Sequence, residues 1–229
     1  MTSVKIDKVR RSYGDLLAID EVSLTAEQGE VVAVVGASGC GKSTLLDLIC
    51  GLQEPDAGTV ESDRAVLMPQ RDLLMPWMSA LENAALPLTL RGEGDGAARE
   101  MLAQFGLTDF ADSNVWELSG GMRQRIAFAR TLLSGAPVLC LDEPFGALDA
   151  ITRADLQTWL SEVLARDPHT VVFVTHDVEE AVLLADRVVV LSERPARVVQ
   201  TFEIAGTRPR KPTSAAVAKT RAKVLEALR

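Results

Sequence analysis

The chain has 229 residues, 47% of them hydrophobic and 24% charged, with a formal net charge of −8. These values suit one large globular domain, or a core carrying an inserted subdomain, and they exclude a disordered chain. The acidic balance argues against general nucleic-acid binding, which needs a basic footprint. No apolar run approaches the ~18 residues of a membrane span, the polar first ten residues lack a secretory signal, and three cysteines without CxxC spacing make neither a disulfide framework nor a zinc site. The expectation is a soluble, cytoplasmic protein. The charge is uneven, however: residues 206–229 carry seven basic residues against one acid, a net +6, which leaves −14 on residues 1–205. Such asymmetry can mark a surface partner for the tail.

In chain order, residues 4–30 read as short alternating segments broken at Tyr13-Gly14 and Gly29, an antiparallel β meander. Short apolar, β-branched runs follow at 31–35, 138–141, 171–174 and 188–191, each reading as a buried parallel strand. Helical stretches between them predict an α/β fold with helices on both faces of a parallel sheet. Residues 72–134 lack such a run and show helical spacing, with Met122, Ile126, Ala129 and Leu133 on one face, so they read as a helical insert. The expected organisation is a core of residues 1–71 and 135–205, a helical subdomain at 72–134, and a basic tail at 206–229. In the tail, Val217, Val224, Leu225 and Leu228 mark a modest apolar helical face. That helix either packs on its own domain or touches anionic headgroups or an acidic partner loop.

Two segments carry chemistry. Gly36-Ala37-Ser38-Gly39-Cys40-Gly41-Lys42-Ser43 satisfies GxxxxGK followed by Ser or Thr, after a strand and opening a helix over 43–50. Glycines there let backbone N–H groups turn toward phosphate oxygens, and the helix N-terminus adds partial positive charge. Candidate phosphate contacts are Gly36, Ser38, Gly39, Cys40, Gly41, Lys42, Ser43 and Thr44. Lys42 reaches the terminal phosphates and the Ser43 hydroxyl can ligate Mg²⁺. The bland role for Cys40 is a small residue at a helix start. The second segment is an apolar strand ending in Asp142-Glu143, where a strand tip faces the ligand crevice. Asp142 suits the Mg²⁺ shell, and Glu143 suits a base taking a proton from attacking water. A third helix start, Ser119-Gly120-Gly121 before residues 122–134, offers a second anion site. One chain with two phosphate-binding ends far apart in sequence is satisfied economically by a two-fold, head-to-tail pair of chains.

With Leu118-Ser119-Gly120-Gly121-Met122-Arg123-Gln124-Arg125, the chain resembles the ATPase subunits of ATP-binding cassette (ABC) transporters over nearly its whole length. The resemblance implies a P-loop ATPase core that binds ATP and Mg²⁺ between two copies. It implies that Tyr13 stacks on adenine, although a packing tyrosine is the plain alternative. Gln70 would belong to the loop joining core to insert, acting in catalysis and near the metal. Ser119, Gly120 and Gly121 would contact the nucleotide of the opposed copy, Asp149 in Ala147-Leu148-Asp149 would link the two sites, and His176 would be the switch histidine. Met122 departs from the family's commoner Gln, removing one polar side chain near the opposed ribose.

The apolar Leu73-Leu74-Met75-Pro76-Trp77-Met78 is either core of the insert or a groove for a partner helix. In the family that place receives an integral-membrane permease. Pro76, Trp77, Leu81 through Asn83 and Leu86-Pro87-Leu88 are similar to the importers of nitrate, sulfonates, taurine and pyrimidine precursors. The resemblance then implies a peripheral location on the inner membrane face and, indirectly, a periplasmic or lipoprotein solute-binding protein. The alternatives are an efflux ATPase, or a soluble relative acting on nucleic acid or ribosomes. The latter lacks support from an insert without heptads and from an acidic body.

Overall fold

The computed structural model describes residues 1–146, 148–166 and 169–228. Ala147 of the expected linking loop, Asp167 and Pro168 of an expected turn before His169, and Arg229 of the tail lie outside the described residues.

Strands β1 (Thr2–Tyr13) and β2 (Leu16–Glu27) form an antiparallel hairpin. These are two long strands rather than several short ones. The alternation looks broken in sequence because the pairing shifts register repeatedly, and Lys8 adopts φ 47 at one shift. Next come β3 (Val31–Val35), α1 (Lys42–Ile49), β4 (Ala57–Ser62) and β5 (Ala65–Met68). Strand β4 pairs with β1, completing a sheet of order β2-β1-β4. Gly58 permits that pairing: with φ 82, it brings β4 so near the Lys8 bulge that a Cβ would lie 2.4 Å from the Lys8 carbonyl oxygen.

The helical stretch consists of α2 (Ala80–Leu90), α3 (Gly96–Gln104) and α4 (Gly120–Leu132). It is followed by β6 (Val138–Asp142), α5 (Ala150–Arg166), β7 (Thr170–Thr175), α6 (Val178–Leu184), β8 (Arg187–Leu191), β9 (Val198–Glu203) and α7 (Ala215–Ala227). The central sheet has order β5-β6-β7-β3-β8-β9. All its pairs are parallel except β8 with β9. The six residues between β8 and β9 are too few for a crossover, so the last strand must return antiparallel. Strands β4, β5 and β9 are absent from the sequence reading. Strand β4 is largely exposed, β5 holds a single β-branched residue, and β9 is an edge strand, so none shows a buried β-branched run.

Alternation along the central strands feeds two cores. Val32, Val34, Val172 and Val174 pack with Leu45 and Leu46 of α1 and with the hairpin residues Val4 and Ile6. Ala33, Val35, Leu139, Val171 and Phe173 face Ile126 and Phe128 of α4 and Leu156 and Leu160 of α5. Of the expected α4 face, Ile126 and Ala129 are fully buried and Met122 and Leu133 pack at its margin.

The loop before α2 is held from below by Asn83, itself fully buried. Its Nδ2 donates to the carbonyls of Met75, Met78 and Ser79 at 3.1, 3.2 and 2.9 Å, and its Oδ1 accepts from the Met75 N–H at 2.7 Å. Leu74 is buried beneath this loop while Leu73 and Trp77 are 58% and 73% exposed. Helix α2 begins with a capping box between Ser79 and Glu82.

The basic tail is partly structural. Arg208 donates to the Leu184 carbonyl and to Asp186, both at 3.0 Å, and the buried Arg210 donates to the Ala185 carbonyl at 2.7 Å. Both satisfy the C-terminal end of α6. Arg221 lies 3.5 Å from Glu179. Val217 and Val224 bury α7 against the domain, but Leu225, expected on the same face, is 43% exposed.

Replacing Asn83 with Ala orphans the Met75 N–H and removes all three donated bonds, so it should cost roughly 2–4 kcal/mol of stability. Urea denaturation measures this, and a loss below about 0.5 kcal/mol, the scale of an ordinary surface change, would contradict the clamp.

Candidate active site

The parallel strands β3, β6 and β7 end on one side, at Gly36, Asp142 and His176. The strand carboxyl ends of an open α/β sheet are where a ligand crevice forms. A cavity of about 300 Å³ lies there, lined by Tyr13, Leu16, Ala18, Ser38, Gly39, Gly41, Lys42, Ser43, Thr44, Gln70, Asp142, Glu143 and Arg194.

Gly41 precedes α1 with φ 126, a conformation that only glycine adopts without strain. A Cβ there would also press on the Ala18 carbonyl oxygen at 3.0 Å. Lys42 is 5% exposed, and its ammonium donates to the carbonyls of Gly36 and Ala37, both at 2.9 Å. Neutral carbonyls orient the ammonium without offering a counter-charge, which leaves that place to a polyanion. Gly36 and Cys40 sit behind the cavity. The Cys40 side chain is buried in the α1-side core, and a Cβ on Gly36 would lie 2.9 Å from its sulfur.

Tyr13 stands at the cavity rim, 43% exposed, beside Leu16 and Ala18. Its hydroxyl donates to Gln53 Oε1 at 2.7 Å, and the Arg11 guanidinium sits 5.3 Å from the ring centroid. A flat ring fixed at both its hydroxyl and its face offers a stacking platform for a planar base.

On the opposite wall, Glu143 adopts φ 44, an unusual conformation for a non-glycine residue. Its backbone N–H donates to the Val174 carbonyl at 3.0 Å, which continues the β6–β7 ladder one residue beyond Asp142. One carboxylate oxygen, Oε2, has two neighbours: Gln70 Nε2 and His176 Nδ1, each at 3.2 Å. Burial raises the Asp142 pKa above the usual carboxylate range. Ser43 and the Lys42 charge oppose that shift, while Glu143 adds to it. A carboxylate whose charge is disfavoured in this way is receptive to a cation.

Ser119, Gly120, Gly121, Asp149 and His176 do not line the cavity. The Ser119 hydroxyl caps α4 by accepting from the Met122 N–H at 3.3 Å, and no acidic residue occupies the first turn. Gly121 packs against the start of α5, where a Cβ would meet Thr152 at 3.2 Å. Asp149 accepts from the N–H groups of Ile151 and Thr152, and hydrogen bonding from the Thr152 side chain first, then from these backbone groups, holds its pKa below the usual value. The structure therefore groups Tyr13, Ser38, Gly39, Gly41 to Thr44, Gln70, Asp142 and Glu143 around one cavity, joins His176 to it through the Glu143 carboxylate, and leaves the Ser119 helix start and Asp149 outside it.

Four contributors escaped the sequence reading. Arg194, from the turn between β8 and β9, lines the cavity and donates through Nε to the Gly39 carbonyl at 3.0 Å. Gln124, 3% exposed, donates to the Pro144 carbonyl at 2.8 Å, tying α4 to the residue after Glu143. Arg123 and Arg130 grip the linker beyond Gln70, through the Asp72 carboxylate at 3.0 Å and the Asp72 and Leu73 carbonyls. Arg194 belongs to no motif and lies far along the chain. Gln124 stood within the motif of α4, but nothing in the spacing shows which polar residue of a helix turns inward.

The ABC transporter family profile matches residues 19–146. A taurine import ATP-binding protein of Sinorhizobium fredii is 45% identical over 80% of this chain and 73% of its own length. An aliphatic sulfonates import ATP-binding protein of Mesorhizobium japonicum is 41% identical over 96% of this chain and 86% of its own. Among solved structures, a dimeric ATP-binding cassette in a post-hydrolysis state, bound to ADP and phosphate, superposes with a TM-score of 0.80 at 31% identity. It covers 89% of this chain and 99% of that one. Together with the phosphate-loop cavity, these likenesses show that the chain belongs to the ABC transporter family, as an ATP-binding, ATP-hydrolysing subunit.

Proposed function

We propose that this ATPase works as a pair of copies beneath a membrane permease and drives import of a small solute of the sulfonate or taurine type. The observation that carries the catalytic part is the Glu143 carboxylate, held by Gln70 and His176 beside the Lys42 cradle. The import direction and solute class are supported by the names of the relatives, which import taurine and aliphatic sulfonates.

In this reading the backbone N–H groups of residues 38–44 and the Lys42 ammonium bind the β and γ phosphates, while Tyr13 seats the base. Glu143 takes the proton of the attacking water. His176 and Gln70 fix the carboxylate, so that its basic oxygen stays aimed where the terminal phosphate lies. A positioned base of this kind is worth ~10²–10⁴ in rate. The Ser43 hydroxyl, the Asp142 carboxylate and the Gln70 amide form a small set of hard oxygen donors, which fits Mg²⁺ shared with phosphates and water. When bound, Mg²⁺ neutralises charge developing on the phosphates.

The Ser119 helix start has no acidic residue in its first turn and lies away from its own chain's cavity. A two-fold partner would place it over the opposed γ-phosphate, with Asp149 between the two sites. Among the described residues no helix is long and apolar enough to cross a membrane, so translocation requires a separate permease. The exposed Leu73 and Trp77, on the loop clamped by Asn83, offer its docking point and would hold this chain at the inner membrane face. Selection of the solute would then fall to the permease and a periplasmic or lipoprotein solute-binding protein.

Lys42→Ala should weaken ATP binding at least tenfold, and Glu143→Gln should leave binding intact while lowering turnover ~10²-fold or more. Equilibrium titration with a fluorescent nucleotide and a phosphate-release assay measure these; normal affinity or near-normal turnover would reject the respective assignments. Trp77→Ala should abolish co-purification with a multi-span permease without changing the isolated ATPase rate, and full retention of the permease would remove Trp77 from the docking surface.

A further inference from the structure

Behind His176 lies a cluster of charged groups that the steps above do not use. Glu180, in the first turn of α6, is 4% exposed. Its Oε2 accepts from the Thr175 hydroxyl at 2.7 Å, and that same hydroxyl accepts from the Asp177 N–H at 2.9 Å. Thr175 and Asp177 flank His176, so Glu180 buttresses the turn that presents the imidazole.

Facing Glu180 from α5 is Arg153. Its Nη2 donates to the Leu148 carbonyl at 3.0 Å and its backbone N–H donates to the Asp149 carbonyl at 2.9 Å. Its Nη1 lies 3.7 Å from Asp177 Oδ2, and its Nε lies 4.0 Å from Glu180 Oε1. That Nε is buried and makes no hydrogen bond among the described residues. A buried guanidinium N–H without an acceptor, half an ångström beyond bonding reach of a buried carboxylate, is costly until the two close. One guanidinium therefore touches both the Leu148-Asp149 loop and the residues that carry His176.

We propose that Arg153 and Glu180 are a positioning pair, which closes when a second chain engages the Leu148-Asp149 loop and thereby sets His176 against Glu143. The proposal rests on the role given above to His176. Neither residue touches the reacting atoms; each acts through the turn at residues 175–177. The groups around the Glu180 carboxyl are the Thr175 hydroxyl, Arg153 from α5, and Asp177 and His176 from its own loop. Burial is the main cause that raises its pKa to about 7, with Asp177 adding to the shift and Thr175, Arg153 and His176 opposing it. Its charged, Arg-pairing form therefore grows as pH rises through neutrality, and turnover should rise with it.

The test uses the full chain with MgATP and compares wild type, Glu180→Gln, Arg153→Met, their double variant, Arg153→Lys and His176→Ala. Glutamine keeps the Thr175 bond and the volume but cannot ionise. The expected result is unchanged nucleotide affinity, with kcat lowered roughly 10- to 100-fold in each single variant. The double variant should be no slower than either single one, and Arg153→Lys should recover part of the loss. The wild-type limb near neutral pH should be absent from Glu180→Gln, the two profiles being compared point by point so that ionisations elsewhere cancel. Additive losses, wild-type turnover in both single variants, or identical pH profiles would overturn the pair. The wild-type profile needs no variant to fold, and a flat kcat between about pH 6 and 8 also overturns it. If His176→Ala turns over normally, the role of the histidine fails and the pair fails with it. If His176→Ala is slow while both single variants are fast, only the pair fails.

Discussion

The arrangement depends on one buried cation. Lys42 is placed by Gly41, at φ 126, and by the start of α1, and its ammonium meets only the carbonyls of Gly36 and Ala37 as hydrogen-bond partners among the described residues. Sequestering such a charge in a well-packed core is unfavourable unless something negative completes the site. Nearby, burial disfavours the Asp142 charge, so the cavity holds an underused cation and an underused anion a short distance apart. A polyphosphate chelated to a divalent ion satisfies both. The parallel sheet makes this possible, because it brings three strand ends, distant in sequence, to the same crevice.

The second constraint is that the helical stretch and the core share the base. Glu143 Oε2 meets Gln70 from the linker and His176 from the end of β7. The linker beyond Gln70 is gripped by Arg123 and Arg130 of α4, and the residue after Glu143 is gripped by Gln124 of the same helix. Helix α4 begins at Ser119. In the proposed pair of chains, a displacement of that helix by the opposed phosphate would be felt at the base from two sides. The exposed Trp77 loop sits on the same linker, and a permease docked there, as proposed, would have mechanical access to the hydrolytic geometry.

Much of this was legible from the residues because several elements obey local rules. The buried β-branched runs read as strands, and the phosphate loop declares itself by glycine spacing. The two-core pattern follows from alternation along β3 and β7. The misses have equally local causes. Strand β5 carries one β-branched residue, and the hairpin's bulges hide two long strands. The tail was open between packing on its own domain and an external partner: Val217 and Val224 pack it on the domain, and Arg208 and Arg210 turn inward to satisfy the end of α6, a detail composition alone cannot reveal. Arg194 owes its place to a tertiary contact that no motif records, and Asn83, although it stands in the Leu81–Asn83 motif, to bonds with the preceding loop that spacing does not show.

The central claim is that the nucleotide site is completed across two chains, by Lys42 of one and the Ser119 helix start of the other. Sedimentation of Glu143→Gln, with and without Ser119→Arg, in saturating MgATP tests it most directly. The account predicts an ATP-dependent dimer holding two nucleotides for the first, and for the double variant a monomer that still binds ATP through its own Lys42 loop. A double variant that dimerises as readily as Glu143→Gln alone would contradict it.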